Sequence, residues 1–178
     1  MKRAALLLLG VLLLPARADD KGTEVKFGDL KSTTPASWKP GKFGGFRFME
    51  FKLPHHKDDE VDGDLAIFKG FGGSKKENLT RWKGQFIAPE GKSIDDVTRV
   101  EEMKVADCEV LYVDISGTYL EGPPMLPAAQ KKKRPGYRML AVQFEAPDDK
   151  YHIKLVGPAK TIEKHKKEFD EWLKGFKK

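Results

Sequence analysis

The amino-acid sequence predicts an α+β fold: a single domain in which one antiparallel sheet of about six strands is flanked by two main helices. Three observations carry that expectation. Stretches rich in β-branched and aromatic residues come in neighbouring pairs separated by short turns, and short turns join strands antiparallel. Only two stretches repeat their apolar residues at helical spacing; one falls between strand pairs and the other closes the chain. The 178 residues, 39% of them hydrophobic and only one of them cysteine, suit one core that needs no disulfide. The same figures exclude a polytopic membrane protein, and the aromatic content of 10% argues against a disordered chain.

The elements follow in order. Glu24–Leu30 alternates Val25 and Phe27 with polar neighbours and reads as a first short strand; a turn segment, STTPASWKP, follows, with Trp38 as a lid on the core edge. Phe46–Leu53 is β-rich, Pro54 ends it, and the polar stretch His55–Gly63 leads to Asp64–Lys69, its hairpin partner. Ser74 and Glu77 form a capping box ahead of Leu79, Trp82 and Phe86, predicting a helix over Lys75–Phe86. Asp96–Val105 and Cys108–Thr118 pair across the tight Ala106-Asp107 turn. The prolines at 123, 124, 127 and 135 make Tyr119–Gly136 a long, mobile, basic loop. Tyr137–Glu145 and Lys150–Val156 form a hairpin around Ala146-Pro147-Asp148-Asp149. In the closing helix, Thr161–Phe176, one face carries Ile162, His165, Phe169, Trp172, Leu173 and Phe176, with Glu163–Lys167 and Asp170–Lys174 as i,i+4 pairs.

The first eighteen residues read as an address rather than as structure. Lys2 and Arg3 precede an apolar run from Ala4 to Leu14, and Ala16-Arg17-Ala18 supplies the small-x-small cleavage triplet, so residues 1–18 are expected to be a secretory signal peptide. The run is too short for a bilayer-spanning helix, which takes about 20 residues. The domain is therefore expected to span 19–178, exported to the periplasm or beyond the cell and without a membrane span. Cleavage also lowers the net charge from +6 to +3, which removes the case for nucleic-acid binding.

Several constellations invite chemistry. The turn Gly70-Phe71-Gly72-Gly73-Ser74, followed by Lys75 and Lys76, is a possible anion-binding turn at Gly72, Gly73 and Ser74, although it misses the nucleotide P-loop spacing. Asp58, Glu60, Asp62, Gly63 and Asp64 imitate the start of a calcium loop, but Lys69 stands where the twelfth-position glutamate belongs; His55 and His56 lie next to it. Cys108 lacks a motif joining it to His152, and Ser116 lacks the G-x-S-x-G elbow. Lys131, Lys132, Lys133 and Arg134 form the one dense single-sign patch and the expected partner-binding site. No catalytic residue, metal ligand or cofactor is assigned, and the pattern sets no oligomeric state.

The words TPASWKP (Thr34–Pro40), RFMEFKLP (Arg47–Pro54), GGSKKENLTRW (Gly72–Trp82), VDISGTY (Val113–Tyr119) and PGYRML (Pro135–Leu140) resemble a family of uncharacterised exported bacterial proteins over most of residues 24–178. The element order is also similar to that of the PsbP-like α/β/α sandwich, whose members include exported or lumenal non-catalytic subunits and accessory factors. The resemblance implies a non-catalytic binding or accessory role with a protein or envelope component as partner. Two rivals remain open: a small hydrolase using Cys108, His152 or the acidic loop, and a metal- or small-ligand-binding periplasmic protein.

Overall fold

The structure, a computed structural model, describes residues 21–42, 44–123 and 125–178. The expected signal peptide, residues 1–18, lies outside them. Strands β1 (Glu24–Phe27) and β2 (Leu30–Thr33) form a separate hairpin. The main sheet takes β3 (Lys39–Pro40), β4 (Met49–Leu53), β5 (Gly63–Lys69), β6 (Phe86–Ile87), β7 (Thr98–Val105), β8 (Cys108–Glu121), β9 (Lys132–Glu145) and β10 (Lys150–Pro158). Its order is β3-β4-β5-β10-β9-β8-β6, with β7 also on β8, and every pairing is antiparallel.

The chain is α+β, as expected, with more strands than the expected six. The additional ones are those too short for alternation to register. β3 and β6 have two residues each, and Gly28, at φ +58, folds the stretch taken for one strand into the β1–β2 hairpin.

Helix α1 (Lys75–Lys83) ends short of the expected Phe86. Gly84 closes it by donating to Thr80 O, and Phe86 and Ile87 are released to pair with Tyr119 and Thr118. Helix α2 (Ala159–Lys174) covers one sheet face, where Phe51, Leu53, Leu65, Ile67, Leu140, Val142, Phe144, Ile153 and Leu155 are fully buried. The β1–β2 hairpin shares that cover: Phe27 stacks on Tyr151 at 4.0 Å and on Phe176 at 4.4 Å. Trp38 is no lid. It is 2% exposed and packs among Phe51, Phe169 and Trp172, because two elements rather than one close this face.

The opposite face has a smaller core of Trp82, Phe86, Leu111, Val113, Ile115, Met139 and Ala141. The result is an α/β/α sandwich with unequal halves. Each large apolar side chain that is fully buried contributes about 1.5–3 kcal/mol, so the α2 side holds most of the fold's stability.

The expected loop at Tyr119–Gly136 is corrected. Strands β8 and β9 run on through it, pairing Tyr119 with Arg134, Leu120 with Lys133 and Glu121 with Lys132. The register shifts between Gly117, opposite Tyr137, and Tyr119, which leaves Pro135 and Gly136 (φ +70) as the irregularity. A proline there breaks no ladder bond. Among the described residues, only 122–123 and 125–131 are left as the tip of a two-stranded arm, including a 3-10 turn at Ala128–Gln130. β10 ends opposite Tyr137, so β9 from Lys132 to Gly136 has no partner on its outer edge among the described residues. Among the described residues no helix is long and apolar enough to cross a membrane.

Candidate functional site

Most of the groups that the sequence nominates for chemistry hold the fold together. At the glycine-rich turn, Gly73 has φ +110, and Ser74 and Glu77 complete the capping box: Glu77 N–H donates to Ser74 Oγ at 3.3 Å, and Glu77 Oε2 accepts from Ser74 N–H at 2.7 Å. A carboxylate thus stands where the expectation put an anion. Lys75 turns to Glu102 and Glu109, both at 2.8 Å, and ties α1 to β7 and β8.

The acidic loop is dispersed in the same way. Asp58 pairs with Lys160 at 2.8 Å, and Asp62 accepts from His55 N–H at 2.9 Å and faces its Nδ1 at 2.7 Å. Asp59 Oδ2 accepts from the Thr161 amide at 2.9 Å and hydroxyl at 2.6 Å, capping the start of α2. Among the described residues no group of three or more His, Cys, Asp or Glu side chains is placed to hold a metal ion.

Cys108 and His152 are not brought together. Cys108 belongs to the core under α2, where burial raises its thiol pKa, whereas His152 faces α1 two strands away. His165 lies on the buried face of α2, its ring nitrogens facing Glu168 Oε2 at 3.1 Å and Pro54 O at 2.8 Å. On the same side, Arg138 forks onto Asp114 at 2.7 and 2.6 Å and also reaches Glu163 on α2. Tyr112 donates to Asp170 at 2.9 Å, and Lys166 bonds both of them. Glu163 and Asp170 are therefore engaged by Arg138 and Lys166 rather than by the expected Lys167 and Lys174.

A groove of about 490 Å³ runs between β2 and the last turns of α2. Its lining mixes Glu24, Glu168 and Glu171 with Lys31 and Lys177, and Ser32 Oγ donates to Trp172 O at 2.7 Å. It concentrates no single charge.

The concentration lies on the other face. Along β10, Tyr151, Ile153 and Leu155 enter the α2 core, so His152 and Lys154 point to the α1 side. Lys154 stands between Ala66 on β5 and Ala141 on β9, whose methyl groups leave room for its stem. Its Nζ donates to Gln85 Oε1 and lies 5.9 Å from the centre of the Tyr119 ring. Gln85 is itself fixed, its Nε2 donating to Arg81 O at 3.0 Å and its carbonyl accepting from Leu120 N–H at 2.8 Å.

Among the described residues Lys154 forms no ion pair. The nearby carboxylates are engaged elsewhere: Arg47 holds Glu50 at 2.6 Å and lies 3.5 Å from Asp64, while Lys52 lies 3.2 Å from Asp64. Burial pushes the Lys154 ammonium down from 10.5 to about 8. The cations of Arg47, Arg81 and Lys131 add to that shift, and Asp64 opposes it. These three cations come from the segment before β4, helix α1 and the arm tip, and Lys154 itself from β10.

His152, two residues along, has both ring nitrogens buried without a hydrogen-bond partner, and burial, helped by the cations of Arg81 and Lys150, lowers its pKa to about 4. Trp82 meets its ring edge-on at 6.3 Å. Beside it Asn78 donates to Gln143 at 2.7 Å, and Arg81 donates to Asn78.

The arm continues this basic face. Arg134 lies opposite Tyr119 in the register, so both side chains project from the same side. Arg134 pairs with Glu121 at 2.8 Å, while Lys132 and Lys133 are exposed. Sequence reasoning found the basic cluster Lys131–Arg134, placing it on a loop, but missed Lys154, since an alternating Y-H-I-K-L-V strand places its polar residues in water unless the strand is central.

No protein-family model matches the chain, and no curated protein matches it. Among solved structures it is similar to a protein of unknown function from Pseudomonas aeruginosa described as a putative regulator, with TM-score 0.48 and 9% identity over 86% of this chain and 94% of that one. It is also similar to cyanobacterial PsbP (CyanoP) from Synechocystis sp. PCC 6803, with TM-score 0.48 and 11% identity over 95% and 98%. A PsbP-like protein is thus among the structural neighbours. Likeness at this level says nothing about what the chain binds.

Proposed function

We propose that the chain is an exported, non-catalytic binding or accessory domain that engages a protein or other component of the cell envelope through its basic α1-side face. One observation carries the reading: Lys132 and Lys133 are exposed on the arm, and Arg134 shares a side of it with Tyr119, whose ring lies 5.9 Å from Lys154 Nζ, so the arm's basic residues lead onto the face that holds Lys154. A surface of one sign recruits partners of the other and speeds their encounter. The leader-like residues 1–18 support export, and the dispersal of the acidic loop and of the Cys108–His152 pair supports binding over catalysis.

Two measurements test this. Expression with the chain's own N-terminus, followed by intact-mass analysis, is expected to yield a product beginning near Asp19 in the extracytoplasmic fraction; a cytoplasmic product that keeps Met1 overturns export. A photo-crosslinker at Lys132 or Lys133 is expected to trap one discrete envelope component, lost when Lys131 and Arg134 are both replaced by Glu. Crosslinking unaffected by that charge reversal overturns the assigned surface.

A further inference from the structure

We infer that Lys154 and the cations around it form a binding site for a small tetrahedral oxyanion of the phosphate type. The inference rests on reading the α1-side face as a binding surface, and it is independent of export and of the arm's partner. The geometry supplies three arguments.

First, the ammonium of Lys154 is half-buried with only an amide oxygen as hydrogen-bond acceptor and no carboxylate in ion-pair range among the described residues. An ammonium so placed is incompletely compensated, and it gains from any anion that reaches it. Second, Arg47 and Lys52 share the carboxylates of Glu50 and Asp64 at 2.6–3.5 Å, Asp64 Oδ1 having no hydrogen-bond partner, while among the described residues Lys154 and Arg81 pair with no carboxylate. The local excess is positive. Third, the basic residues of this face belong to separate stretches of chain, Arg47 before β4, Arg81 on α1 and Lys154 on β10, with Gln85 joining the end of α1 to Lys154, rather than to one forked guanidinium. A planar carboxylate suits a single bidentate arginine, whereas a tetrahedral oxyanion offers acceptor oxygens in several directions. The small side chains of Ala66 and Ala141 flank Lys154 in the sheet, and Tyr119, held against Phe86 at 5.3 Å and Tyr137 at 6.2 Å, stands beside its ammonium.

The test is a calorimetric and NMR titration of the purified chain at pH 7 with inorganic phosphate, glycerol 3-phosphate and succinate. Saturable binding of phosphate or glycerol 3-phosphate is expected, with perturbed amides around Lys154 and Gln85. The tighter of the two distinguishes a free ion from an esterified phosphate group. Lys154→Met is expected to weaken binding at least about tenfold, as loss of a charged hydrogen-bond donor does. Lys131→Met, at the arm tip where folding is not at stake, is expected to weaken it about threefold, whereas Lys132→Ala, exposed on the adjoining strand, leaves it unchanged.

Absence of phosphate binding at millimolar concentration, equal binding by Lys131→Met and the parent chain, or succinate binding as tightly as phosphate would each overturn the inference. Phosphate binding together with failed crosslinking at Lys132 and Lys133 would retain this site and reject the partner surface. The reverse pattern would reject this site alone.

Discussion

The Nζ of Lys154 donates to the side-chain carbonyl of Gln85, 69 residues earlier, and among the described residues this amide is its one hydrogen-bond acceptor. The bond joins the central strand β10 to the segment leaving α1. An amide oxygen orients the ammonium but does not neutralise it. Lys154→Met is therefore expected to raise stability at pH 7 by roughly 1–2 kcal/mol, discounted because a half-buried amine keeps part of its hydration. The folded-state pKa of about 8 lies below the ordinary 10.5, so the folded chain binds fewer protons than the unfolded chain between those values, and the penalty fades as pH rises through that window. Arg47, Arg81, Lys131 and Asp64 face Lys154 from other elements, and burial holds the nearby Tyr119 hydroxyl above its usual range. Urea denaturation of both chains at pH 7 and pH 10 checks the sign at each end.

His152 makes the acid side of the stability profile steep. Its folded pKa of about 4 lies below 6.5, so its contribution is fully present above pH 6.5 and is lost as pH falls toward 4. The loss is on the order of 2–3 kcal/mol. Arg81 and Lys150 are the cations that hold the pKa down along with burial. His152→Leu is expected to flatten the profile between pH 6.5 and 4, measured by denaturant unfolding at half-unit steps.

Arg138 and Asp114 stand or fall together. Asp114 is 7% exposed and accepts both arms of the Arg138 fork. Arg138→Met leaves a buried carboxylate unpaired and is expected to cost about 3–5 kcal/mol. Replacing Asp114 by Leu in the same chain is expected to recover most of that loss, and a double-mutant cycle in urea measures the recovery.

Asp59→Ala removes the cap of α2 while leaving the helix sequence intact. The helix begins after Pro158, which offers no side-chain acceptor, so Asp59 is the group that satisfies the Thr161 amide. A loss of about 1 kcal/mol is expected, with faster hydrogen exchange confined to the first turn.

The residues differ in how far they reveal their place in advance. Ser74 and Glu77 announce the start of α1 because a capping box is local chemistry, readable within four residues. Ile162, Phe169, Trp172 and Leu173 announce α2 because its buried face repeats at helical spacing. Trp38 does not announce its burial, because Phe51 on β4 and Phe169 and Trp172 on α2, which pack around it, lie far apart in sequence. Pro135 misleads: proline signals a loop, yet here it occupies a strand irregularity whose position depends on pairing with Gly117 and Tyr119. Lys154 is illegible for the same reason. Its alternation with Ile153 and Leu155 is plain, but whether its face meets water depends on β10 lying between β5 and β9 with α1 and Gln85 folded over it. None of that is local.

The most direct test is the titration of Lys154 itself, followed through its Cε resonance in ¹³C-lysine-labelled chain with Lys154→Met for assignment. A desolvated ammonium opposed by neighbouring cations predicts a midpoint at about 8, rising when inorganic phosphate is added. A midpoint at the ordinary 10.5, unmoved by phosphate, would contradict it.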